Sequence, residues 1–247
     1  MTDVHGFHAV SALLEQSPGR IRTLFLLRGR RDERAERIIE LARNAQVRVE
    51  FVDRRWFDRN AGDAHQGIAA NCHELAPAGE GDLESIWESL PSPKLLLVLD
   101  GVQDPRNLGA CLRSAAAAGV QAVLLPRRRS APLSAVALKT AAGAAERLRI
   151  FEVTNLARRL EWLQAQGVWL VGAMGSAEAD WSSVDLTRDI AFILGGEEKG
   201  LRPLTVKHCD YLVRIPMAGG MESLNVSVAT GVLLFEAVRQ RGLGGAS

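Results

Sequence analysis

Three polar, glycine-bearing segments, each just after an apolar run, hold the side chains with the most chemistry to offer. Residues 99–115 read LDGVQDPRNLGACLRSA. Pro105 and Asn107 there predict a turn and a helix start, with Asn107 as N-cap and Gly109 leaving room beside Arg113 one turn on. Residues 193–203 read ILGGEEKGLRP, where glycines let backbone approach a ligand and the loop presents Glu197. Residues 215–231 read IPMAGGMESLNVSVATG, with a Gly219-Gly220 turn before a helix. Ser223, Leu224 and Asn225 then fall where main-chain donors have no intrahelical partner and can bind a carboxylate. Any one segment reads as an ordinary turn and cap, but three together point to one site.

Other chemistries lack their residues. No GxGxxG follows a strand, and Gly195 and Gly200 have P-loop spacing but Leu201 stands where the lysine is required. No histidine pair has metal-ligand spacing, so no metal is expected, and no GxSxG elbow precedes a helix. His5, His8, His65 and His73 are dispersed and read as structural or RNA-facing. Cys72, Cys111 and Cys209 are far apart with no CxxC, which fits reduced thiols, small and buried, of a cytoplasmic protein.

The elements that must position these segments follow from periodicity. Apolar runs at 94–100, 121–125, 147–153, 168–172, 190–194 and 211–215 suit buried parallel strands. Helical patterns at 108–118, 134–142, 156–166 and about 223–239 supply the crossovers. The second unit, residues 94–247, is therefore expected to be an α/β open, mainly parallel sheet, whose ligands bind beyond the strand carboxyl ends. Residues 1–75 read as a small α/β module, with helices at 6–15 and 32–44 and strands at 23–27, 47–52 and 67–70. Residues 76–93 hold three prolines, two glycines and four acids, and read as a linker.

At 247 residues and 47% hydrophobic, the chain can bury a real core, and 24% charged residues argue against disorder. The most apolar stretch, residues 115–126, is too short to cross a bilayer and is interrupted by Gln121, so no membrane partner is expected. The amino terminus shows no secretory signal pattern. The net charge of +1 creates no long-range field, but residues 20–59 hold 12 Arg, no Lys and 7 Asp or Glu. Arginine binds phosphate bidentately and stacks on bases, so Arg22, Arg28, Arg30, Arg31, Arg54 and Arg55 form a candidate RNA grip. The interleaved charges of residues 30–43 fit a solvated helix face equally well. Arg127, Arg128 and Arg129 crowd a loop that an anion would stabilise.

Asn107-Leu108-Gly109 with Arg113, Gly195-Gly196-Glu197 with Gly200, and Ile215-Pro216-Met217 with Ser223-Leu224-Asn225-Val226-Ser227 resemble the three motifs of the SpoU/TrmH family of RNA 2′-O-ribose methyltransferases. In the first unit, Gly6-Phe7-His8-Ala9-Val10 and His65-Gln66-Gly67-Ile68 resemble the N-terminal, RNA-binding domain of the family's bacterial members that methylate a guanosine of 23S rRNA. The resemblance implies a SPOUT-type fold with a C-terminal trefoil knot, S-adenosyl-L-methionine as cofactor, 23S rRNA as substrate, and a homodimer. Periodicity alone would not lead to a knot.

By the same resemblance, Arg113 activates the ribose hydroxyl, Asn107 and Glu197 position it, and Ser223 and Asn225 shape the site. Gly195, Ile215, Met217 and Leu224 hold the cofactor through backbone and apolar contacts. A guanidinium, which holds its proton at any ordinary pH, is a poor base. A charged Arg113 instead lowers the hydroxyl's pKa and steadies the alkoxide, while phosphate or water takes the proton. Two other readings remain at this point: a tRNA 2′-O-methyltransferase of the same family, and a non-catalytic rRNA-binding or ribosome-assembly protein. The N-terminal module favours rRNA over tRNA, and five site residues together disfavour a pure binder.

Overall fold

The computed structural model describes residues 2–61, 65–73 and 75–242. The chain divides into two compact units, residues 1–76 with 142–147 and residues 77–141 with 148–247.

The first unit runs β1 (Thr2–His5), α1 (Phe7–Gln16), β2 (Ile21–Leu27), α2 (Glu33–Asn44), β3 (Val49–Val52), α3 (Arg54–Asn60) and β4 (Ile68–Cys72). Its four-stranded sheet has the order β1-β4-β2-β3, with β2 and β3 parallel and the other pairs antiparallel. Helix α2 buries Ala35, Ile38 and Ala42, one stripe of a 3.6-residue repeat, and Asp32 caps it by accepting from the Ala35 amide at 3.0 Å. That stripe and Phe7, Val10, Leu13 and Leu14 of α1 form one core with Leu24 and Leu26 of β2. Two elements carry no periodic signal in the sequence. Strand β1 is only four residues long, and α3 is polar, with Asp53 accepting from the Trp56 amide at 2.8 Å.

The second unit runs α4 (Glu80–Ile86), β5 (Leu95–Asp100), α5 (Pro105–Ala117), β6 (Ala122–Pro126), α6 (Ala135–Ala141), β7 (Ile150–Val153), α7 (Leu156–Ala165), β8 (Trp169–Ala173), β9 (Ala179–Asp180), β10 (Ile190–Gly195), α8 (Pro203–His208), β11 (Tyr211–Arg214) and α9 (Val226–Gln240). Its seven-stranded sheet has the order β7-β6-β5-β10-β8-β11-β9, and its pairings are parallel. Strands β5 and β6 are buried along their whole length, the mark of a sheet covered on both faces. No helix among the described residues is long and apolar enough to cross a membrane.

The segment 76–93 departs from the linker expectation. Residues 80–86 form α4, and Leu83, Trp87 and Leu90 are buried in the second unit's core. Arg159 of α7 donates to Glu84 at 2.8 Å and to Glu80 at 3.2 Å. Leu83, Ile86, Trp87 and Leu90, at helical spacing, outweigh a proline- and acid-rich composition once a partner face exists.

Candidate active site

Strand order sets the site. Because β5 and β10 are parallel neighbours, with Leu99 opposite Leu194 and Asp100 opposite Gly195, the first two polar segments leave the sheet side by side. The Gly196 amide donates to the Asp100 carbonyl at 3.1 Å. A Cβ on Gly196 would lie 2.3 Å from the Gly101 carbonyl oxygen, and one on Gly195 would lie 1.9 Å from the Gly200 carbonyl carbon. Both glycines are required by backbone packed on backbone.

A chain of side-chain hydrogen bonds then joins all three segments. Asn107 Nδ2 donates to Glu197 Oε1 at 2.7 Å, and Asn225 Nδ2 donates to Asn107 Oδ1 at 3.1 Å. Asn225 Oδ1 accepts from the Ser227 amide at 2.9 Å and from its hydroxyl at 2.6 Å, which caps α9. Residues 90 and 118 positions apart are thus locked in one orientation, a polar chain open to solvent at Glu197 and Asn225.

Two local expectations are corrected. The N-cap of α5 is Asp104, whose side chain accepts from the Arg106 amide at 2.8 Å, because Pro105 takes the first helical position. Asn107 therefore sits inside the first turn, where its side chain is free to reach Glu197. Gly109 does not serve Arg113: a Cβ there would lie 2.4 Å from the Ala137 carbonyl oxygen, so it lets α6 pack closely on α5.

Arg113 and Ser223 stay outside the chain of hydrogen bonds. Arg113 is exposed on α5, six residues and about 9 Å of helix rise beyond Asn107. Neither it nor Ser223 makes a side-chain hydrogen bond or ion pair among the described residues. Ile215, Met217 and Leu224 are half-buried, and the amides of Met217 and Leu224 find no intramolecular acceptor among the described residues. Aliphatic surface beside free main-chain donors fits a flat heterocycle held by its faces and edge.

Sequence reading missed Asp100 and its partners. Asp100 is 1% exposed at the end of β5; Thr205 donates to its Oδ2 at 2.6 Å, and Arg202 pairs with its other oxygen. A lone aspartate closing an apolar strand was the available signal. It ties α8 to β5 and so braces the loop that carries Glu197. Nearby Cys111 contacts Thr230 at 3.4 Å, and burial, with the Glu197 charge, pushes its thiol up to about 11. It is neutral and no nucleophile. Of the basic loop, Arg127 pairs with Glu152 at 3.2 Å while Arg128 and Arg129 are exposed.

The SpoU rRNA Methylase family model matches residues 94–235, and the model described as RNA 2′-O ribose methyltransferase substrate binding matches residues 4–78. The chain is 51% identical over 241 residues to the 23S rRNA (guanosine-2′-O-)-methyltransferase RlmB of Yersinia pestis, covering 97% of this chain and 98% of that protein. It is 48% identical over 239 residues to RlmB of Escherichia coli K12, covering 96% and 98%. Among solved structures, the SpoU methyltransferase AviRb of Streptomyces viridochromogenes in complex with AdoMet superposes with a TM-score of 0.77 at 26% identity, covering 97% of this chain and 89% of that one. With these matches and three motifs joined at one end of a parallel sheet, the chain belongs to the SpoU rRNA methylase family.

Proposed function

We propose that this protein methylates the 2′-oxygen of a guanosine ribose in 23S rRNA, using S-adenosyl-L-methionine. The carrying observation is the Glu197–Asn107–Asn225 chain, which gathers three motifs at the strand carboxyl ends in a protein about half identical to RlmB along nearly its whole length. When bound, the cofactor supplies an electrophilic methyl group on a sulfonium.

Ile215, Met217 and Leu224 would hold its adenine, with the free amides of Met217 and Leu224 on the edge, while Gly195 lets the loop pass close. Glu197 and Asn225, fixed through Asn107, orient the ribose, with Ser223 beside them. Such alignment contributes about 7–11 kcal/mol in favourable cases. Arg113, charged, lowers the hydroxyl's pKa and stabilises the alkoxide. A homodimer covers the exposed Val228 and Phe235 of α9, the helix packed on α5. The C-terminal segment is read as the trefoil knot of the SPOUT fold, the first unit as an RNA-binding domain, and the cytoplasm, where ribosomal RNA is found, as the place of action.

The test is methyl transfer from labelled cofactor to unmodified 23S rRNA and to tRNA. Incorporation into 23S rRNA alone, mapped to a 2′-O-methylguanosine, is expected. Label in tRNA instead, or in neither, overturns the reading.

A further inference from the structure

The first unit carries a concave site of its own, a cavity of about 440 Å³ at the end of its sheet, in the size range of small-ligand pockets. Its walls come from the start of α1, the turn after β2, the first turns of α2 and α3, and the turn into β4. Three arginines line it, and their states differ.

Arg30 is already immobilised. Its guanidinium lies 4.4 Å from the centroid of the Phe7 ring, pairs with Asp32, and donates to the Gln66 carbonyl. Phe7 is buried, and Gln66 fixes it further by accepting from the Phe7 amide at 3.3 Å. A planar cation neutralised by its own carboxylate and held against an aromatic ring is a stacking surface whose ordering cost is met before any ligand arrives. Arg34 and Arg54, by contrast, are exposed on the rim and make no ion pair among the described residues. They are free charges suited to phosphate.

Two donors complete the pocket. His65 Nδ1 accepts from the Gly67 amide at 2.8 Å, so the neutral ring carries its proton on Nε2, 3.9 Å from Asp58 Oδ1 and beyond hydrogen-bond reach of it, and the ring stacks on Phe57 with centroids 4.7 Å apart. The Gln66 side chain, using its oxygen on the Phe7 amide, presents its NH2 group. Flat cation, edge donors and free rim cations match the three parts of one unpaired nucleotide: base face, base edge and phosphate. A duplex offers phosphates without an accessible base face, so it fits the rim but not the cavity.

We infer that this pocket binds a single unpaired nucleotide of the substrate RNA, its base stacked on Arg30 and its flanking phosphates on Arg34 and Arg54. The inference rests on the RNA-methylating function proposed above and specifies how the first unit would select substrate. Single-strand preference then arises from the cavity, and the rim arginines set its salt dependence.

The test uses the full chain without cofactor and a fluorescein-labelled single-stranded RNA octamer, followed by anisotropy across salt concentrations, with a blunt RNA duplex as competitor. Arg34→Ala/Arg54→Ala should weaken octamer binding about tenfold or more and reduce the slope of log affinity against log salt by about 1.4, the share of two single-strand phosphates. Arg30→Lys keeps the charge and loses the flat face; it should weaken binding about fivefold or more with the slope unchanged. Duplex that competes as well as the octamer, or variants within about twofold of the parent, overturns the inference. Pocket-dependent binding without methyl transfer to 23S rRNA would sink the proposed function and leave the pocket standing. Methyl transfer with an unchanged KM in the rim variant would do the reverse.

Discussion

Replacing Asn107 asks whether the three loops act as one site. The side chain donates to Glu197 at 2.7 Å and accepts from Asn225 at 3.1 Å, so Asn107→Ala removes both links. Asn107→Asp keeps the acceptor but sets a carboxylate oxygen where the donor was. Because Glu197 and Asn225 are exposed and Asn107 half-buried, water takes over the released groups, and the alanine variant should lose about 1 kcal/mol or less. That corresponds to a fall of about 2–4 °C in Tm for a chain of this size. The aspartate is harsher, since two unit charges 2.7 Å apart repel by about 1.5 kcal/mol even at water's dielectric constant. The carboxylates swing apart and take the loops out of register. A shift of about 1 Å at a reacting centre costs about 100-fold, so kcat should fall about that far in Asn107→Asp and about tenfold in Asn107→Ala. A carboxylate pair raises one partner's pKa, so moving from about pH 8 towards pH 5 should restore part of the aspartate variant's rate relative to the alanine variant's. Single-turnover methyl transfer to an unmodified 23S rRNA fragment, run beside thermal melts, measures all of this. Parental turnover in both variants would refute the idea that the hydrogen-bonded chain aligns the reaction.

Arg113→Ala should retain S-adenosylmethionine binding by calorimetry yet lose methyl transfer by about 100-fold or more, the scale of a lost electrostatic stabiliser. Gly195→Ala should cost about 3 kcal/mol in denaturant melts, because its Cβ would meet the Gly200 carbonyl carbon at 1.9 Å and only backbone movement can relieve it. Glu80 gives a pH dependence: burial raises its pKa, but hydrogen bonds from Thr154 and Arg159 outweigh this and hold it below the usual carboxylate value. Its contribution is therefore present above the unfolded pKa and lost as pH falls through the lower folded one, so acid should loosen residues 80–90 in hydrogen exchange, and Glu80→Gln should flatten that response. Cys209, pushed up to about 12 by burial and by neighbouring Asp210 and Asp100, and Cys111, at about 11, should resist alkylation near pH 8 in the folded protein, as peptide mass mapping would report.

Periodicity was enough for the elements that bury a continuous stripe or a whole strand. Strands β5, β6, β8, β10 and β11 lie within a residue or two of their apolar runs, as do α1, α2 and α7. The same rule failed where the signal was short or masked by polar composition. Strand β1, helix α3 and the two-residue β9 carry too few apolar positions to show a period, and α4 was hidden among prolines and acids. Asp104 rather than Asn107 caps α5 because capping is decided by one residue's backbone angles, which the neighbouring proline sets.

The sequence by itself determined the residue types of the site, because a carboxylate, two amides and a guanidinium must be encoded to be present. Its motifs also carried the family. It did not determine which of them touch. That came from strand order: β10 pairs in parallel with β5, although Leu95 and its register partner Ile190 lie 95 positions apart in the chain, and α9 returns beside α5, so Asn107 receives both Glu197 and Asn225. The roles of Gly109, Gly195 and Gly196 were likewise decided by tertiary packing, since each marks a place where another stretch of backbone comes too close for a Cβ. Local propensity acts over a few residues, whereas adjacency of distant strands is set by the burial of the whole sheet, and only the folded chain contains that information.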